Sequence, residues 1–373
     1  MELQPCLQPI GSLCDSSISL VSVIMPIHNA AEYLEEAFES ICSQTYRPIE
    51  VSMFNDNSSD CSWSMILQWA EKFENNGISV VLSNSSKDRA QGPGYSRNQC
   101  VSQSHGEYLC NLDSDDRMEP RRIEMQLAVS SQRGPMHIVG SNFTREPEGS
   151  TAYYTDWLNG LDDAGLMTQR FRECTIICPT WFMHRSAYDA VSRARHPDGM
   201  NCCKGYAECA DNKHRVSEDL SFFLDHLALG GKLTKVNTPL LMYRYHHNSW
   251  CFGTKPIDMQ RIRIKYLQDA VLNGWPSFSI WGYGKDGRKF INMLSEANAN
   301  KVACYCDVDE NKIGTTFFCN FIRKRIPIIS YKEVTKPFII CVGTKRTGAG
   351  PSGLEANVNS LGLVEGVDFF YFC

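Results

Sequence analysis

The first half of the chain alternates between short apolar runs and longer segments with a helical period. The apolar runs cover residues 20–27, 49–54, 78–82 and 108–112. Between them, apolar positions recur every three to four residues, which is typical of helices with one buried face. Strands and helices that alternate in this way, with short connections, predict a doubly wound and mostly parallel α/β sheet.

The same pattern continues to a break at Gly274-Trp275-Pro276. It predicts helices at 122–130, 220–229 and 257–272, and strands at 137–142, 233–236 and 240–245. Residues 195–216 are polar and irregular, and we interpret them as an insertion. The prediction is therefore one large domain over residues 20–274, preceded by a flexible N-terminal tail over residues 1–19.

A second unit is predicted over residues 275–373. Short strands at 278–281, 302–306 and 338–342 accompany a glycine-rich turn at 282–287 and a helix at 288–295. This arrangement predicts a small Rossmann-like α/β domain. The sequence indicates too few strands for a complete dinucleotide-binding fold.

Composition and charge narrow the function classes. Hydrophobic residues make up 43% and charged residues 21% of the chain, and the formal net charge is −5, so nucleic acid and anionic membranes are disfavoured as partners. The 17 cysteines lie mostly in apolar contexts, which favours free thiols in a reducing compartment. We found no signal-peptide pattern, and no apolar run approaches the roughly 20 residues that cross a bilayer, so we expect a cytoplasmic protein without a membrane span.

Polar clusters follow several of the predicted strands. They occupy residues 26–29, 55–60 and 113–116. The carboxyl ends of parallel strands meet at one edge of a sheet, where ligands bind. Three carboxylates at 113, 115 and 116 repel one another, which favours a divalent cation among them. The alternative for these aspartates is a helix cap, and their position among the other clusters favours the metal.

Four further signals each have a structural alternative. Asp56 can hydrogen-bond a nucleobase or simply form a turn. The stretch 92–98 combines glycines with Arg97, which offers a fork for phosphate or carboxylate, but is also a plain helix start. Asp219 can take a proton from an attacking hydroxyl or serve at a helix cap. One of the paired histidines in 243–247 can contact a metal or phosphate, or lie at a surface strand end.

The order of these motifs (PxxN, NDNSSD, GPGxxRN, LDSDD, ED and YRxH) resembles the family 2 glycosyltransferases with the GT-A fold over about residues 20–250. The resemblance implies a UDP-sugar donor, a divalent cofactor (Mn²⁺ or Mg²⁺) and an inverting displacement. Within the family, the whole chain is most similar to vertebrate N-acetylglucosaminyltransferase-like members. That similarity implies N-acetylglucosamine as the sugar and leaves the acceptor unknown.

The resemblance also implies roles for individual residues. The nucleotide-sugar would be bound by Pro26, Asn29, Asp56, Arg97 and Asp113. Asp56 would contact uracil and Asp113 would lie near the ribose. Asp115 would ligate the metal, His246 would reach the metal or the diphosphate, and Asp219 would be the general base.

One part of the chain departs from the family pattern. Members often carry a Gly-Gly-Phe-type turn shortly before the E-D pair, and here the 195–216 insertion occupies that region. The acceptor of other family members therefore cannot be assigned to this chain. Its Cys202, Cys203 and Cys209 match no standard zinc spacing.

The C-terminal unit carries Gly282-x-Gly284-x-x-Gly287 with Asp307, which matches a dinucleotide fingerprint, and a structural or degenerate module is the other interpretation of this pattern. It supports an alternative function as an NAD-linked oxidoreductase or a nucleotide-binding regulator. A UDP-sugar-binding pseudoenzyme is the other alternative.

Overall fold

The computed structural model describes residues 18–196, 205–207, 217–247, 249–343 and 353–372. Most of the predicted tail and of the 195–216 insertion, including its three cysteines, lies outside these residues. The described chain forms one sheet of eight strands and one of six. Among the described residues, no helix is both long enough and apolar enough to cross a membrane.

The first half of the chain has the predicted alternation of strands and helices. Its elements are β1 (Val21–Ile27), α1 (Leu34–Cys42), β2 (Ile49–Asn55), α2 (Ser62–Asn75), β3 (Ser79–Asn84), α3 (Pro93–Gln103) and β4 (Tyr108–Asn111). In the parallel register, Val23 of β1 faces Val51 on one side and Cys110 on the other. Every residue of β1 and β2 is buried, as expected for strands covered on both faces by helices.

The rest of the first sheet is mixed rather than purely parallel. The elements that follow are β5 (Arg117–Met118), α4 (Arg122–Arg133), β6 (His137–Glu146), α5 (Ala152–Gly160), α6 (Asp163–Thr168), β7 (Phe182–His184), α7 (Arg185–Arg195), α8 (Glu218–Ala228), β8 (Lys232–Arg244) and α9 (Pro256–Leu267). The strand order is β3-β2-β1-β4-β7-β6-β8-β5. Strand β7 is antiparallel to β4 and β6, and β5 is antiparallel to β8.

Two predictions for this half were wrong in detail. The strands predicted at 233–236 and 240–245 are one continuous strand, β8. Its register against β6 shifts around Pro239, which lies opposite Asn142. Proline cannot donate to the ladder, so a local irregularity accommodates it without ending the strand. The predicted helix 257–272 is α9 followed by a π-helical turn over Gln268–Leu272.

The second sheet has more strands than the sequence indicated. Its elements are β9 (Phe278–Trp281), α10 (Lys285–Ile291), α11 (Glu296–Asn300), β10 (Val302–Asp307), β11 (Thr316–Cys319), β12 (Lys324–Ser330), β13 (Phe338–Ile340), α12 (Gly353–Asn359) and β14 (Phe369–Tyr371). The order is β11-β12-β10-β9-β13-β14, with β11 antiparallel to β12 and the other pairs parallel. The prediction of too few strands was wrong, since β11, β12 and β14 were missed.

The two sheets contact each other through side chains on both sides of residue 274. Ile264 and Leu267 of α9 belong to the hydrophobic core of the second sheet. The rings of Phe171 and Phe370 pack edge to face at 5.6 Å. The second core therefore includes residues from before the predicted boundary, and the division at 274/275 stays a prediction.

Candidate functional site

The acidic turn after β4 brings three carboxylates together. Asp113, Asp115 and Asp116 each offer an oxygen, and these oxygens lie within 4.8 Å of one another. The turn begins where the N–H of Leu112 donates to the carbonyl of Ile24 in β1 (3.1 Å). Helix α4 begins later, at Arg122, after β5. The alternative in which Asp116 caps that helix is therefore wrong.

Asp116 instead joins this turn to the end of β8. Its Oδ1 accepts a hydrogen bond from the backbone N–H of Arg244 (2.9 Å). The guanidinium of Arg244 donates from Nε to the carbonyl of Asp115 (3.0 Å) and pairs with Glu36 and Glu146 at 2.9 and 3.1 Å. These bonds fix the acidic turn against a strand more than a hundred residues later in the chain.

His246 lies against the same turn. Its Nε2 is 2.7 Å from Asp115 Oδ2, and its ring packs on Tyr33 with centroids 5.0 Å apart. The guanidinium of Arg244 covers the same tyrosine ring at 5.0 Å. Among the described residues, His246 Nδ1 is buried without a hydrogen-bond partner. The predicted pair of Asp115 and His246 is thus adjacent in the fold.

The donor set at this turn fits Mn²⁺ or Mg²⁺. Both ions prefer carboxylate oxygens, and an imidazole nitrogen is a good ligand for a transition metal such as Mn²⁺. Burial and the neighbouring charge of Asp115 raise the pKa of Asp116 well above its usual range. Asp116 Oδ2 is buried without a partner among the described residues. A bound cation would compensate this concentration of buried negative charge.

Arg97 bridges two acidic residues behind the turn. Its Nη2 lies 2.5 Å from Asp113 Oδ1 and its Nη1 lies 2.6 Å from Glu218 Oε1. Burial alone would lower the pKa of Arg97, but the Asp113 charge, with Glu218, raises it well above its usual range. Burial and the Asp219 charge raise the pKa of Glu218 to about 7. From the sequence, the general-base role was assigned to Asp219 alone, and the pairing of Glu218 with Arg97 was not predicted, since an acidic residue at a helix start is also a common cap signal.

Asp219 lies in the first turn of α8, half-buried, and next to this ion-pair network. Its Oδ1 accepts from the backbone N–H of Leu220 (2.7 Å). Ser217 occupies the N-cap position but its side chain makes no capping hydrogen bond. The negative charge of Asp219 contributes to raising the pKa of Asp113 and of Glu218, which indicates that these carboxylates are close.

Asp56 supports the loop that follows β3. Its Oδ2 accepts from the backbone N–H groups of Gln91 and Gly92, both at 2.8 Å. Burial raises the pKa of Asp56, and these two N–H groups oppose the rise. Among the described residues its Oδ1 is buried without a partner. One carboxylate oxygen of Asp56 therefore holds the loop at residues 91–92, and the other can accept a hydrogen bond from a further donor.

Pro26 and Asn29 lie at the end of β1. Pro26 is buried inside the strand, opposite Phe54 of β2. Asn29 is exposed with φ +48°, and its side-chain oxygen accepts from the N–H of Ser59 (2.8 Å). Helix α1 begins at Leu34 with Tyr33 in the N-cap position. Asn29 therefore does not cap this helix, and it instead joins the loops after β1 and β2.

The sequence also gave no indication of Tyr206, which lies in the predicted insertion. Its hydroxyl accepts from Asn111 Nδ2 (2.8 Å), and its N–H donates to Asn98 Oδ1 (2.9 Å). Its ring lies 5.6 Å from the Arg97 guanidinium. Residues 205–207 therefore reach the back of the site, although a lone tyrosine in a polar stretch carries no recognisable signal.

Comparisons with known proteins identify the family of this chain. A family model described as Glycosyl transferase family 2 matches residues 22–192. An uncharacterized glycosyltransferase of Haemophilus influenzae is 32% identical over 202 residues, covering 54% of this chain and 78% of that protein. The chain belongs to glycosyl transferase family 2. The predicted resemblance to family 2 glycosyltransferases is thereby confirmed, and the two sheets described above confirm the predicted α/β fold class. The finer resemblance to vertebrate members is not supported by these relatives.

The glycosyltransferase matches other relatives over a smaller share of their length. The EpsE protein of Bacillus subtilis is 34% identical over 121 residues, covering 32% of this chain and 42% of that protein. An uncharacterized glycosyltransferase of Rickettsia typhi is 32% identical over 124 residues, covering 32% of this chain and 35% of the relative. The chain thus spans less than half the length of these two curated relatives.

Solved structures whose backbone resembles that of this chain include the UDP-GlcNAc complex of S. aureus TarS. Its sequence is 15% identical, the match covers 76% of the glycosyltransferase and 83% of that chain, and the TM-score is 0.48. A mannosyltransferase of Pyrobaculum calidifontis in complex with GDP-Man and Mn²⁺ is 17% identical, with 70% and 66% covered and a TM-score of 0.47.

Proposed function

We propose that this glycosyltransferase moves a sugar from a UDP-sugar to an acceptor hydroxyl with inversion, and that it depends on Mn²⁺ or Mg²⁺. The observation that carries the proposal is the group of three carboxylates and His246 at one edge of the sheet. The Arg97 ion pairs link this group to the start of α8, where Asp219 lies. Family membership supports the reaction class.

Asp115 and His246 would hold the divalent ion. When bound, the ion supplies positive charge against the diphosphate leaving group, which is the main requirement of such a transfer. Arg244, at the end of β8, donates to the backbone carbonyl of Asp115 and to Glu36. These bonds hold the turn that carries Asp115 against the segment that carries His246. A ligand set fixed in this way needs little rearrangement when substrate binds.

The nucleotide would lie between the ends of β1, β2 and β4. Asp56 Oδ1 would accept the N–H of uracil, while its Oδ2 keeps the 91–92 loop in place. Asp113 would lie near the ribose hydroxyls, oriented by its bond to Arg97. Pro26 and Asn29 would shape the pocket through the β1 end and its loop.

Asp219 would be the general base. Its Oδ1 is held by the Leu220 N–H, so the other oxygen can accept the proton of the acceptor hydroxyl. The hydroxyl oxygen then bonds to the anomeric carbon as the bond to UDP breaks, and the electron pair of that bond leaves with the diphosphate. Glu218 cannot take this role because its carboxylate is paired with Arg97 at 2.6 Å.

The sugar and the acceptor are less constrained by the fold. We propose N-acetylglucosamine as the sugar from the resemblance to vertebrate N-acetylglucosaminyltransferase-like members noted in the sequence, a resemblance that the bacterial relatives named above do not support. The acceptor is left open, because the 195–216 insertion that would shape its site lies mostly outside the described residues.

A donor screen tests the proposal. Purified full-length protein with Mn²⁺ is given UDP-GlcNAc, UDP-GalNAc, UDP-glucose or UDP-galactose and a cell extract as acceptor source, and released UDP is measured. Loss of a general base lowers turnover by about 10²–10⁴-fold, so Asp219→Asn should be nearly inactive.

The matched control is Asp269→Asn, which alters an exposed acid paired with Lys265 and should retain activity. Full turnover in Asp219→Asn would refute the base assignment. UDP-sugar binding without release from any donor would favour the pseudoenzyme.

A further inference from the structure

A cavity of about 490 Å³ lies at the carboxyl ends of β9, β10 and β13 in the second sheet. Strand β9 has β10 as one neighbour and β13 as the other, so the chain reverses its direction of winding at this point. Open α/β sheets bind ligands in the crevice at such a reversal. The volume is within the range of small-molecule sites. The proposed donor site lies on the other sheet, so this cavity is separate from it.

Two glycines of the turn after β9 are required by packing. Gly282 has φ +108°, and a Cβ there would lie 2.5 Å from Val342 Cγ2. A Cβ on Gly287 would lie 2.0 Å from the carbonyl oxygen of Gly282. These contacts explain both residues as structural elements of a tight strand-to-helix connection.

Gly284 is different, because the fold does not require a glycine there. It lines the cavity, its φ is −115°, and a Cβ at this position would meet nothing within 4 Å. Any residue would fit the protein itself. Its missing side chain leaves the backbone bare on the cavity wall, where a ligand can approach closely.

The cavity lining combines apolar surface with four charged side chains, the cations Lys285 and Lys312 and the acids Asp286 and Asp307. Lys285 is exposed, and its ammonium group makes no ion pair or hydrogen bond with the described residues, whereas Lys312 is paired with Asp307. Val308, Val342 and Leu354 supply the apolar surface, and Val308 is 54% exposed at the cavity. An anionic group beside Lys285 and a flat, largely apolar group against the valines and leucine would match this lining.

Asp307 does not bind a ribose, which is the role that the dinucleotide fingerprint assigns to it. Its Oδ1 accepts from the N–H groups of Val308 and Asp309 at 2.9 and 3.0 Å. Its Oδ2 accepts from the N–H of Tyr283 and from Lys312 Nζ at 2.9 and 3.3 Å. Both oxygens therefore hold the surrounding loops, and neither is available to a ribose diol.

We propose that this cavity binds a nucleoside diphosphate. The diphosphate lies against Gly284 and Lys285, the base lies against Val308 and Leu354, and the ribose is not recognised by Asp307. The same chemistry is offered by a free nucleotide and by one half of a dinucleotide such as NADH.

Calorimetric titration of the full chain with ADP, UDP, NADH and inorganic phosphate tests this. The buffer contains EDTA, so that metal-dependent binding at the first sheet does not contribute. We expect at least one nucleotide to bind, and Lys285→Glu to weaken it about tenfold or more by reversing the charge beside the diphosphate. Lys289→Glu, one turn along the same helix and outside the cavity lining, is the control and should bind normally.

A second variant, Gly284→Val, fills the cavity wall at a position with room for a side chain and should also weaken binding. Binding of NADH alone would assign the dinucleotide as the source, and binding of ADP or UDP would assign the free nucleotide. No nucleotide binding up to about 1 mM would overturn the proposal. So would phosphate binding as tight as nucleotide binding, or binding unchanged in both cavity variants.

Discussion

Replacing Arg97 by methionine should remove the cation that Asp113 and Glu218 share. Arg97 is 4% exposed and Glu218 is 6% exposed, and the two guanidinium contacts are 2.5 and 2.6 Å long. Methionine retains most of the apolar volume but leaves two facing carboxylates without a positive partner. Buried charges without a partner are among the most destabilising changes known in protein interiors.

Removal of one partner from a buried ion pair lowers stability by about 3–5 kcal/mol, whereas an exposed pair contributes about 0–1 kcal/mol. The chain offers an exposed ion pair as an internal control. Arg117 pairs with Glu36 at 3.3 Å, and both side chains are about half exposed. Arg117→Met should therefore change the free energy of unfolding by less than about 1 kcal/mol.

The stability deficit of Arg97→Met, which is its loss of unfolding free energy relative to the wild type, should depend on pH. In the intact protein the pKa of Glu218 is already raised to about 7 from an ordinary 4.5. A carboxyl whose pKa is raised by folding contributes stability that is present below its unfolded pKa and is lost as pH rises through the folded value. Without Arg97 the pKa values of Glu218 and Asp113 rise further, since burial is then unopposed. The deficit should be largest near pH 8 and shrink towards pH 5.5, where protons replace the missing cation.

Urea unfolding at pH 5.5 and pH 8, followed by circular dichroism, measures this directly. The wild-type chain and Arg117→Met are unfolded under the same conditions. A deficit for Arg97→Met below about 1 kcal/mol at pH 8 would mean that the pair behaves as an exposed one and would refute the reasoning. A deficit that is equal at both pH values would refute the assignment of the pH effect to Glu218.

Three further predictions concern the two sheets. His246→Ala should weaken Mn²⁺-dependent UDP binding at least about tenfold, measured by calorimetry, with His247→Ala as the unaffected control. Gly282→Ala should lower the thermal midpoint because of strain of about 1–3 kcal/mol, while Gly284→Ala should leave it unchanged; equal midpoints would contradict the stated contacts. Asp56→Ala should speed hydrogen exchange of the two amides that it binds in the following loop by about tenfold, and unchanged exchange would contradict its supporting role.

The parts of the fold that could be predicted are those in which one physical signal dominates. Strands β1 and β2 are buried on both faces, so each shows an uninterrupted apolar run. The position of Asp56 and of Asp113–Asp116 at one sheet edge then follows from the rule for parallel strands. Arg97 and Asp113 were both predicted as residues of the site, although the pairing of Arg97 with Asp113 and with Glu218 was not.

The missed features depend on contacts between distant parts of the chain. Glu218 lies 121 positions from Arg97, and only the fold shows that they pair. Strands β11 and β12 form one edge of the second sheet, and their short apolar stretches, which include the exposed Phe318, are separated by charged residues such as Arg325, so no long apolar run marks them. Asn29 has the composition of a helix cap but adopts φ +48° and bonds the next loop instead.

The most direct test of the proposed donor site is a titration of UDP into full-length protein carrying Lys285→Glu, which weakens binding at the second-sheet cavity, with Mn²⁺ and then with EDTA. In this background we expect tight binding with Mn²⁺, weak binding with EDTA, and weak binding in either buffer when Asp115→Asn is added. Asp219→Asn should bind UDP as the wild type does, because it acts on the acceptor. Equally tight UDP binding with EDTA, or full metal-dependent binding in Asp115→Asn, would contradict the proposed metal–nucleotide site.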